Sequence, residues 1–496
     1  MSDSFDLYDT AAARRIDAQA TALLGGDGYT LMQRAGQAAW QTLLQHWPQA
    51  QRILVACGSG NNGGDGYVLA RLAHCAGRHV RVLQLSGPQS ALAQRACTDY
   101  IGVGGRIEVF DAALAGADVV VDALLGIGLN RAPDAELAAL LGALAGLGAP
   151  VLALDVPSGV DAEHGSVPGA VLPATLTVQF IVAHAGLYTG AALNQVGATA
   201  LATLEVPAAA FDGCVAQAQA WTGAALAARL APRRRDSHKG DSGHVLCIGG
   251  NFGSGGAVML TAEAALRSGA GLVSVATRDA HVAPLLARCP EAMTHAVEDG
   301  AALAPLLRRA SVVALGPGLG QDEWAQGLWR LTLAAELPAV IDADALNLLA
   351  QAQAQAPRAL PDAVLTPHPG EAGRLLGIAT AEVQRDRFAA AAALAERYQA
   401  AVVLKGAGSI VAAPGEVPRV IAAGNPGMAV GGMGDLLTGV IAALRAQGLA
   451  AFEAASVGAL LHAAAGDCAA TEGQRGLLPS DLLPVLRHLA NPETSR

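Results

Sequence analysis

The run Gly424-Asn425-Pro426-Gly427-Met428-Ala429-Val430-Gly431-Gly432-Met433-Gly434-Asp435, leading straight into the helix-like Leu436-Leu437-Thr438-Gly439-Val440-Ile441, constrains this chain more than any other stretch. Glycines at that density adopt backbone conformations closed to other residues. They also let main-chain N–H groups approach a ligand, so the run is suited to wrapping an anion at a helix N-terminus. Phosphate is the guest this chemistry favours. An aspartate closing such a loop repels phosphate unless it takes the proton of a hydroxyl that attacks it, which points to phosphoryl transfer with Asp435 as general base. As a plain helix cap, Asp435 would need no such density of glycine.

A chain of 496 residues exceeds what one core normally organises, and the pattern loosens beyond residue 206, so two domains are expected, 1–220 and 221–496. Apolar residues make up 52% and charged ones 15%, which suits Ala- and Gly-rich helices packed on buried parallel strands and sets the class as α/β. The longest uncharged stretches, 137–154 and 165–204, are interrupted by Pro150 and by Pro168, Pro173, His184 and Asn194, so buried strands with their loops fit them better than membrane spans. The acidic start Met1-Ser2-Asp3-Ser4-Phe5-Asp6 lacks the layout of a secretory signal, and a cytoplasmic location is expected. Cys57, Cys75, Cys97, Cys214, Cys247, Cys289 and Cys468 are scattered and form no CxxC pair, which argues against a disulfide framework or a zinc site. A net charge of −10 with one short basic run, Arg233-Arg234-Arg235, argues against nucleic acid as a partner.

Helical periodicity over 11–24 and 31–46 precedes an apolar strand at 52–57, a glycine loop at 58–66 and a helix at 67–76. Further strands are expected at 80–85, 107–110, 119–121, 151–154, 176–180 and 200–206, with helical patterns between most of them. This alternation predicts a Rossmann-like, doubly wound parallel sheet whose ligands sit outside the carboxyl ends of the strands. A second series starts with a strand at 244–248, a glycine loop at 249–256 and a helix at 257–268. It continues with strands at 272–276, 311–315, 339–341, 363–366 and 401–404, a second α/β domain.

The first glycine loop, GSGNNGGDG, places two amides and a carboxylate where the usual dinucleotide fingerprint has small residues, so side chains as well as backbone reach the ligand or an ion. Asp122 and Asp155 each follow a buried apolar strand; carboxylates at neighbouring strand ends crowd like charges, which raises one pKa or recruits a cation. Through GSGNNGGDG, VDALLGIGLNR and DVPSGVD, in that order, residues 1 to about 210 resemble the NAD(P)H-hydrate epimerase family, and the whole chain is similar to the bifunctional NAD(P)H-hydrate repair enzymes of bacteria. The resemblance implies that Asn61, Asn62, Gly63, Gly64 and Asp65, with Gly126, Ile127, Gly128, Leu129, Asn130, Arg131 and Ala132, hold the dinucleotide. It further implies a potassium ion among Asn62, Asp122 and Ser158, and Asp155 as the acid/base at the hydrated nicotinamide. His184 stands where the family commonly has lysine; it either exchanges protons in that place or packs in an apolar loop.

In the second half, Lys405 with Gly406, Ala407, Gly408 and Ser409 sets a cation and exposed amides at a strand end, which suits a nucleotide phosphate tail. The order HKGDSG, GPGLG, DADALN, TPHPGE, KGAGS and GNPGMAVGGMGD is similar to the ribokinase-like NAD(P)H-hydrate dehydratases. That resemblance implies that residues 405–409 and Gly434 bind ADP with Mg²⁺, that Ala257, Gly318 and His368 line the hydrate pocket, and that Asp435 is the base. Asp342 and Asp344 either cap the following helix or sit near the metal. The implied substrates are hydrated NADH and NADPH together with ADP, and a homo-oligomer without membrane contact is expected. Two other readings fit the residues alone: a ribokinase-like small-molecule kinase, or an N-terminal domain that binds without catalysing.

Overall fold

The computed structural model describes residues 3–110, 114, 116–129, 131–353 and 358–491; Asn130 lies outside the described residues. The chain divides into two compact units, Asp6–Ala218 and Gln219–Arg496, the second joined by the short segment ending at Phe5.

In the N-terminal unit seven parallel strands are ordered Ile107–Val109, His79–Gln84, Arg52–Cys57, Val119–Ala123, Val151–Leu154, Leu176–Phe180 and Ala198–Ala202. Chain order reverses between Arg52–Cys57 and Val119–Ala123, and crevices at such a switch point are where doubly wound sheets bind ligands. The strands are apolar on both faces because helices cover both: Val119, Val120, Val121, Leu152, Ala153 and Leu154 are all fully buried. Leu7 and Tyr8 of the strand Ser4–Tyr8 pair with Ala183 and His184, which fixes the backbone of His184.

The glycine motif behaves differently from the expected loop. The helix starts at Asn61, not Tyr67, and runs to Cys75, so Asn61 to Gly66 form its first turns. These glycines serve packing. A Cβ on Gly63 would lie 2.0 Å from Gly58 O, one on Gly64 2.7 Å from Met32 Sδ, and one on Gly66 2.6 Å from Ala123 Cβ. A helix seated this deeply on the strand ends outweighs the low helix propensity of glycine. The expected strand at 200–206 also ends early, at Ala202, because Leu204 and Glu205 turn the chain with φ of 53° and 51°.

The C-terminal unit orders its strands Met293–Ala296, Leu272–Thr277, His244–Ile248, Val312–Leu315, Ala339–Ile341, Ala363–Leu365 and Ala401–Leu404, all parallel. Ile410–Ala412 and Arg419–Ile421 then add antiparallel pairs, followed by Ala218–Trp221. Here the switch point falls between His244–Ile248 and Val312–Leu315. The two glycine loops zip together there: Gly250 N donates to Pro317 O at 3.1 Å and Asn251 N to Gly318 O at 2.6 Å.

The helix Met433–Ala446 is buried from Leu436 through Leu444, and it packs closely on Gly255–Arg267 because a Cβ on Gly439 would lie 2.1 Å from Thr261 O. Asp435 therefore sits in the first helical turn rather than at the end of a loop. Ala451–Ala469, equally apolar, completes this layer. Among the described residues no helix is long and apolar enough to cross a membrane. Gly439→Ala is expected to destabilise the unit by about 1–3 kcal/mol through overpacking. Gly327→Ala, whose added methyl meets nothing within 4 Å, is expected to be neutral or slightly stabilising. Urea unfolding midpoints compare the two, and equal midpoints would contradict the packing role.

Candidate active sites in the two units

The N-terminal site grows from the switch point. Gly58 N donates to Ala123 O at 2.9 Å, and a Cβ at this position would lie 1.9 Å from Leu124 O, so only glycine lets the two strand ends meet. Asn62, at the start of the helix, donates from Nδ2 to Leu125 O at 2.9 Å; among the described residues its buried Oδ1 has no partner. Asp122 is fully buried and accepts from Ser158 Oγ at 2.6 Å, Ser158 N at 2.8 Å and Leu124 N at 3.2 Å. Burial pushes its carboxyl up to about 6, against the lowering effect of these bonds.

Asp155 ends its strand in the left-handed region at φ 66°, a strained conformation for an aspartate and one that clusters at functional sites. Its Oδ1 accepts from Phe180 N at 3.3 Å and lies 2.8 Å from Nε2 of His184, which is buried. The ring's other nitrogen, Nδ1, is buried and without a partner among the described residues. Gln179 Oε1 accepts from His184 N at 2.8 Å, which fixes the backbone that carries the ring. A Cβ on Gly126 would lie 3.4 Å from Asp155 Oδ2 and 3.5 Å from Asn62 Cβ, so Asn62, Gly126, Asp155 and His184 converge. Burial, then the charges of Asp155 and Asp17, pushes the Asp65 carboxyl well above the usual range.

The remaining residues assigned to the dinucleotide spread outward. Asn61, Gly128, Arg131 and Ala132 are exposed, and Leu129 is half-buried. Ile127 O accepts from Arg14 of the helix Thr10–Leu23, whose Thr10 donates through N and Oγ1 to Glu163 Oε2 at 2.8 and 2.6 Å. Sequence reasoning missed this helix as a wall of the site. Thr10, Arg14 and Asp17 lie on one helical face, and that spacing was the available signal.

The C-terminal site centres on Asp342, which is 1% exposed at the end of Ala339–Ile341. Its Oδ1 lies 2.8 Å from Lys405 Nζ, while Oδ2 lies 2.9 Å from Thr438 Oγ1. Glu371 Oε2 stands 3.9 Å from the same ammonium. A Cβ on Gly434 would come within 3.1 Å of Lys405 Nζ, so this glycine lets the ion pair lie against the helix N-terminus. Asp435 is adjacent, and its carboxyl is pushed up to about 6 by burial and by Asp342, with Lys405 opposing. Of the two aspartates left open by the sequence, Asp342 joins the ion pair and Asp344 accepts from Gly320 N at 2.8 Å.

His368 caps the helix Pro369–Leu376, its Nδ1 accepting from Gly370 N at 3.0 Å, so a neutral ring carries its proton on Nε2, 3.5 Å from Glu371 Oε1. Burial and the charges of Lys405 and Arg374 lower its pKa. Gly318 and Ala257 lie side by side, an added Cβ on the glycine meeting Ala257 Cβ at 3.2 Å. After Lys405 the chain turns through Gly406 (φ 135°) and Gly408 (φ 60°), and Ser409 Oγ donates to Gly406 O at 3.0 Å. Arg387, 1% exposed, braces this turn from below by donating to Leu404 O and Lys405 O, each at 3.2 Å. Thr438, Glu371 and Arg387 carried no assignment from sequence; Thr438 follows Asp435 by three residues in the helix, which places it one turn along the same face.

A cavity of about 1630 Å³ in this unit lies elsewhere. Arg267, Arg288 and Arg487 line it in the last turns of three helices, where arginine offsets the negative helix end. Gln447, at the far end of the Asp435 helix, lines it too, so about 20 Å of helix separates it from Asp435.

Burial pushes the Glu371 carboxyl up from 4.5 to about 7, so the folded state prefers it neutral. That preference stabilises the fold below about pH 4.5 and is lost as pH rises through 7, a swing of roughly 3 kcal/mol. Glu371→Gln is expected to flatten the stability profile across this window; an unchanged slope contradicts the assignment.

Residues 245–487 match the NAD(P)H-hydrate dehydratase family, and residues 28–186 match the family described as YjeF-related protein N-terminus. The bifunctional NAD(P)H-hydrate repair enzyme of Coxiella burnetii is 46% identical, covering 98% of this chain and 99% of the relative. The Escherichia coli enzyme of the same description is 43% identical over 97% and 93%. Among solved structures, a ribokinase-like superfamily protein of Enterococcus faecalis is 33% identical over 55% of this chain and 95% of that one, with a TM-score of 0.51. The chain therefore belongs to the family of bifunctional NAD(P)H-hydrate repair enzymes, with a ribokinase-like C-terminal unit.

Proposed function

We propose that the N-terminal unit interconverts the R and S hydrates of NADH and NADPH and that the C-terminal unit returns the S hydrate to the reduced dinucleotide at the expense of ADP, releasing AMP and phosphate. The observation that carries this reading is the placing of Asp435. Its carboxyl, poised near neutrality, stands beside a buried ion pair in the first turn of a glycine-led helix, whose opening N–H groups have no intrahelical acceptor.

Asp435 takes the proton of the C6 hydroxyl as its oxygen bonds to the β-phosphorus of ADP and the bond to AMP breaks. The N–H groups of Met433 and Gly434 stabilise charge on the moving phosphoryl group. Phosphate then leaves C6 under the push of the ring nitrogen lone pair, and loss of a C5 proton forms the C5–C6 double bond. Lys405 holds Asp342, lies near Glu371, and opposes the rise that Asp342 causes in the Asp435 pKa. Among the described residues no group of three or more His, Cys, Asp or Glu side chains is arranged to hold a metal ion by itself, so a divalent cation would arrive with the nucleotide phosphates, its charge offset by Asp342 and Asp435 beside the one ammonium. Magnesium supplies charge neutralisation at the phosphate oxygens when bound.

In the N-terminal unit Asp155 exchanges the proton at the hydrated ring, and His184, in contact with it, takes the part the family gives to lysine. Asn62, Asp122 and Ser158 fit a potassium ion: Asn62 Oδ1 is a buried acceptor with no donor, and Asp122 is a carboxylate that burial alone disfavours. The ion supplies fixed positive charge there when bound. Residues 61–65 and 126–132 border the dinucleotide. Seven free thiols and these substrates support a cytoplasmic setting.

Both hydrate epimers, incubated with ADP or ATP, test the reading through nicotinamide absorbance and phosphate release; a stable phosphorylated product would favour a simple kinase. Asp435→Ala is expected to cut dehydration about 100-fold or more while sparing epimerisation, and Asp155→Ala the reverse. Since Asp435 must be ionised, dehydration is expected to fall about tenfold per pH unit below about 6, and a flat profile from pH 7 to 5 would remove Asp435 from its role.

A further inference from the structure

On the helix Ala451–Ala469, His462 and Asp467 are polar side chains that the chemistry above does not use. Both face the glycine run from one side of the helix, together with Ala463 and Gly466. Asp467 accepts from Gly424 N at 2.8 Å through Oδ2 and from Asn425 Nδ2 at 2.9 Å through Oδ1. Asn425 passes the constraint on, since its Oδ1 accepts from Gly427 N at 3.0 Å. Gly466 leaves room for Met428, as a Cβ there would lie 2.3 Å from Met428 Sδ. At the other end of the run His462, 8% exposed, stands beside the Met433 backbone, its Nε2 buried and unpartnered among the described residues; burial and Lys405 depress its pKa to about 4, so the ring is neutral at physiological pH.

A loop of this composition is costly to order. Gly424 and Gly432 occupy the left-handed region at φ 101° and 97°, and Gly424, Pro426, Ala429, Val430 and Gly431 are exposed. Asn425 and Met428 tie the middle through local turns only, Met428 N to Asn425 O at 3.1 Å and Val430 N to Met428 O at 2.9 Å. Without its ends held, ordering the loop would be charged against every nucleotide that binds.

We infer that Asp467, seconded by His462, is a positioning residue for the nucleotide: it sets the conformation of the run from Gly424 to Met433 before the phosphates arrive, and so sets nucleotide affinity without touching the reacting atoms. This rests on the proposed reading of that run as the phosphate cradle. Two hydrogen bonds to an ionised carboxylate are lost in Asp467→Ala, while Asp467→Asn keeps the shape but turns one acceptor into a donor facing another donor.

The test uses the full chain and three readouts. For both variants the Kd of Mg-ADP is expected to rise about tenfold or more, with the KM of the hydrate and the epimerase rate within about twofold of wild type. Hydrogen exchange of residues 424–432 is expected to quicken in the variants without nucleotide, while 451–466 keep their protection. A parallel rise in hydrate KM, an unchanged nucleotide Kd, or unchanged exchange in the loop would each overturn the inference. A wild-type chain that consumes no nucleotide would instead sink the proposed function, with the exchange data still deciding whether Asp467 holds the loop.

Discussion

The buried pair of Lys405 and Asp342 is the interaction on which the C-terminal site depends. A carboxylate with 1% exposure is tolerable only if it is paired and its oxygens are bonded, and removing either partner of such a pair strands the other. Here pairing also connects separate elements. Asp342 ends one strand, Lys405 ends another, Thr438 sits in the helix Met433–Ala446, and Glu371 belongs to the turn capped by His368. The pair also tunes Asp435: burial raises its pKa most, Asp342 adds to the rise and Lys405 opposes it, which leaves a carboxyl near 6, a suitable strength for a base working at neutral pH.

The N-terminal unit meets the same physical problem with other residues. Asp122, at its switch point, is satisfied by Ser158 and backbone amides instead of an ammonium, and among the described residues it has no positive partner. Asp155 is aimed by a left-handed backbone and by His184. In both units a strand-end carboxylate is brought close to a helix N-terminus only because glycine lets backbone meet backbone, Gly58 against Leu124 in one and Gly316 against Asp342 in the other. Each unit thus holds a poised carboxylate of its own, as two separate reactions on one substrate pair require.

Much of this was legible in the sequence because buried parallel strands are short apolar runs ended by glycine or aspartate; His244–Ile248, Val151–Leu154 and Leu176–Phe180 stand where the pattern places them. Legibility failed where tertiary contact overrode local preference. Asn61 to Gly66 read as a loop by composition, yet contacts with Gly58, Met32 and Ala123 make them helical. Ile410–Ala412 and Arg419–Ile421 are three-residue strands, too short for periodicity to register. The ordered motifs marked the strand ends. They did not disclose that Lys405 would face Asp342 and Glu371, because partners 63 and 34 residues apart meet only through the strand order.

Nucleotide phosphates are expected to sit at the N-terminus of Met433–Ala446, against Asp435. A crystal structure of the Asp435→Asn chain with Mg-ADP tests this most directly. The β-phosphate is expected within hydrogen-bond distance of the Met433 and Gly434 amides, with residue 435 facing it. A nucleotide bound in the arginine-lined cavity at the far end of that helix, with the glycine run empty, would contradict it.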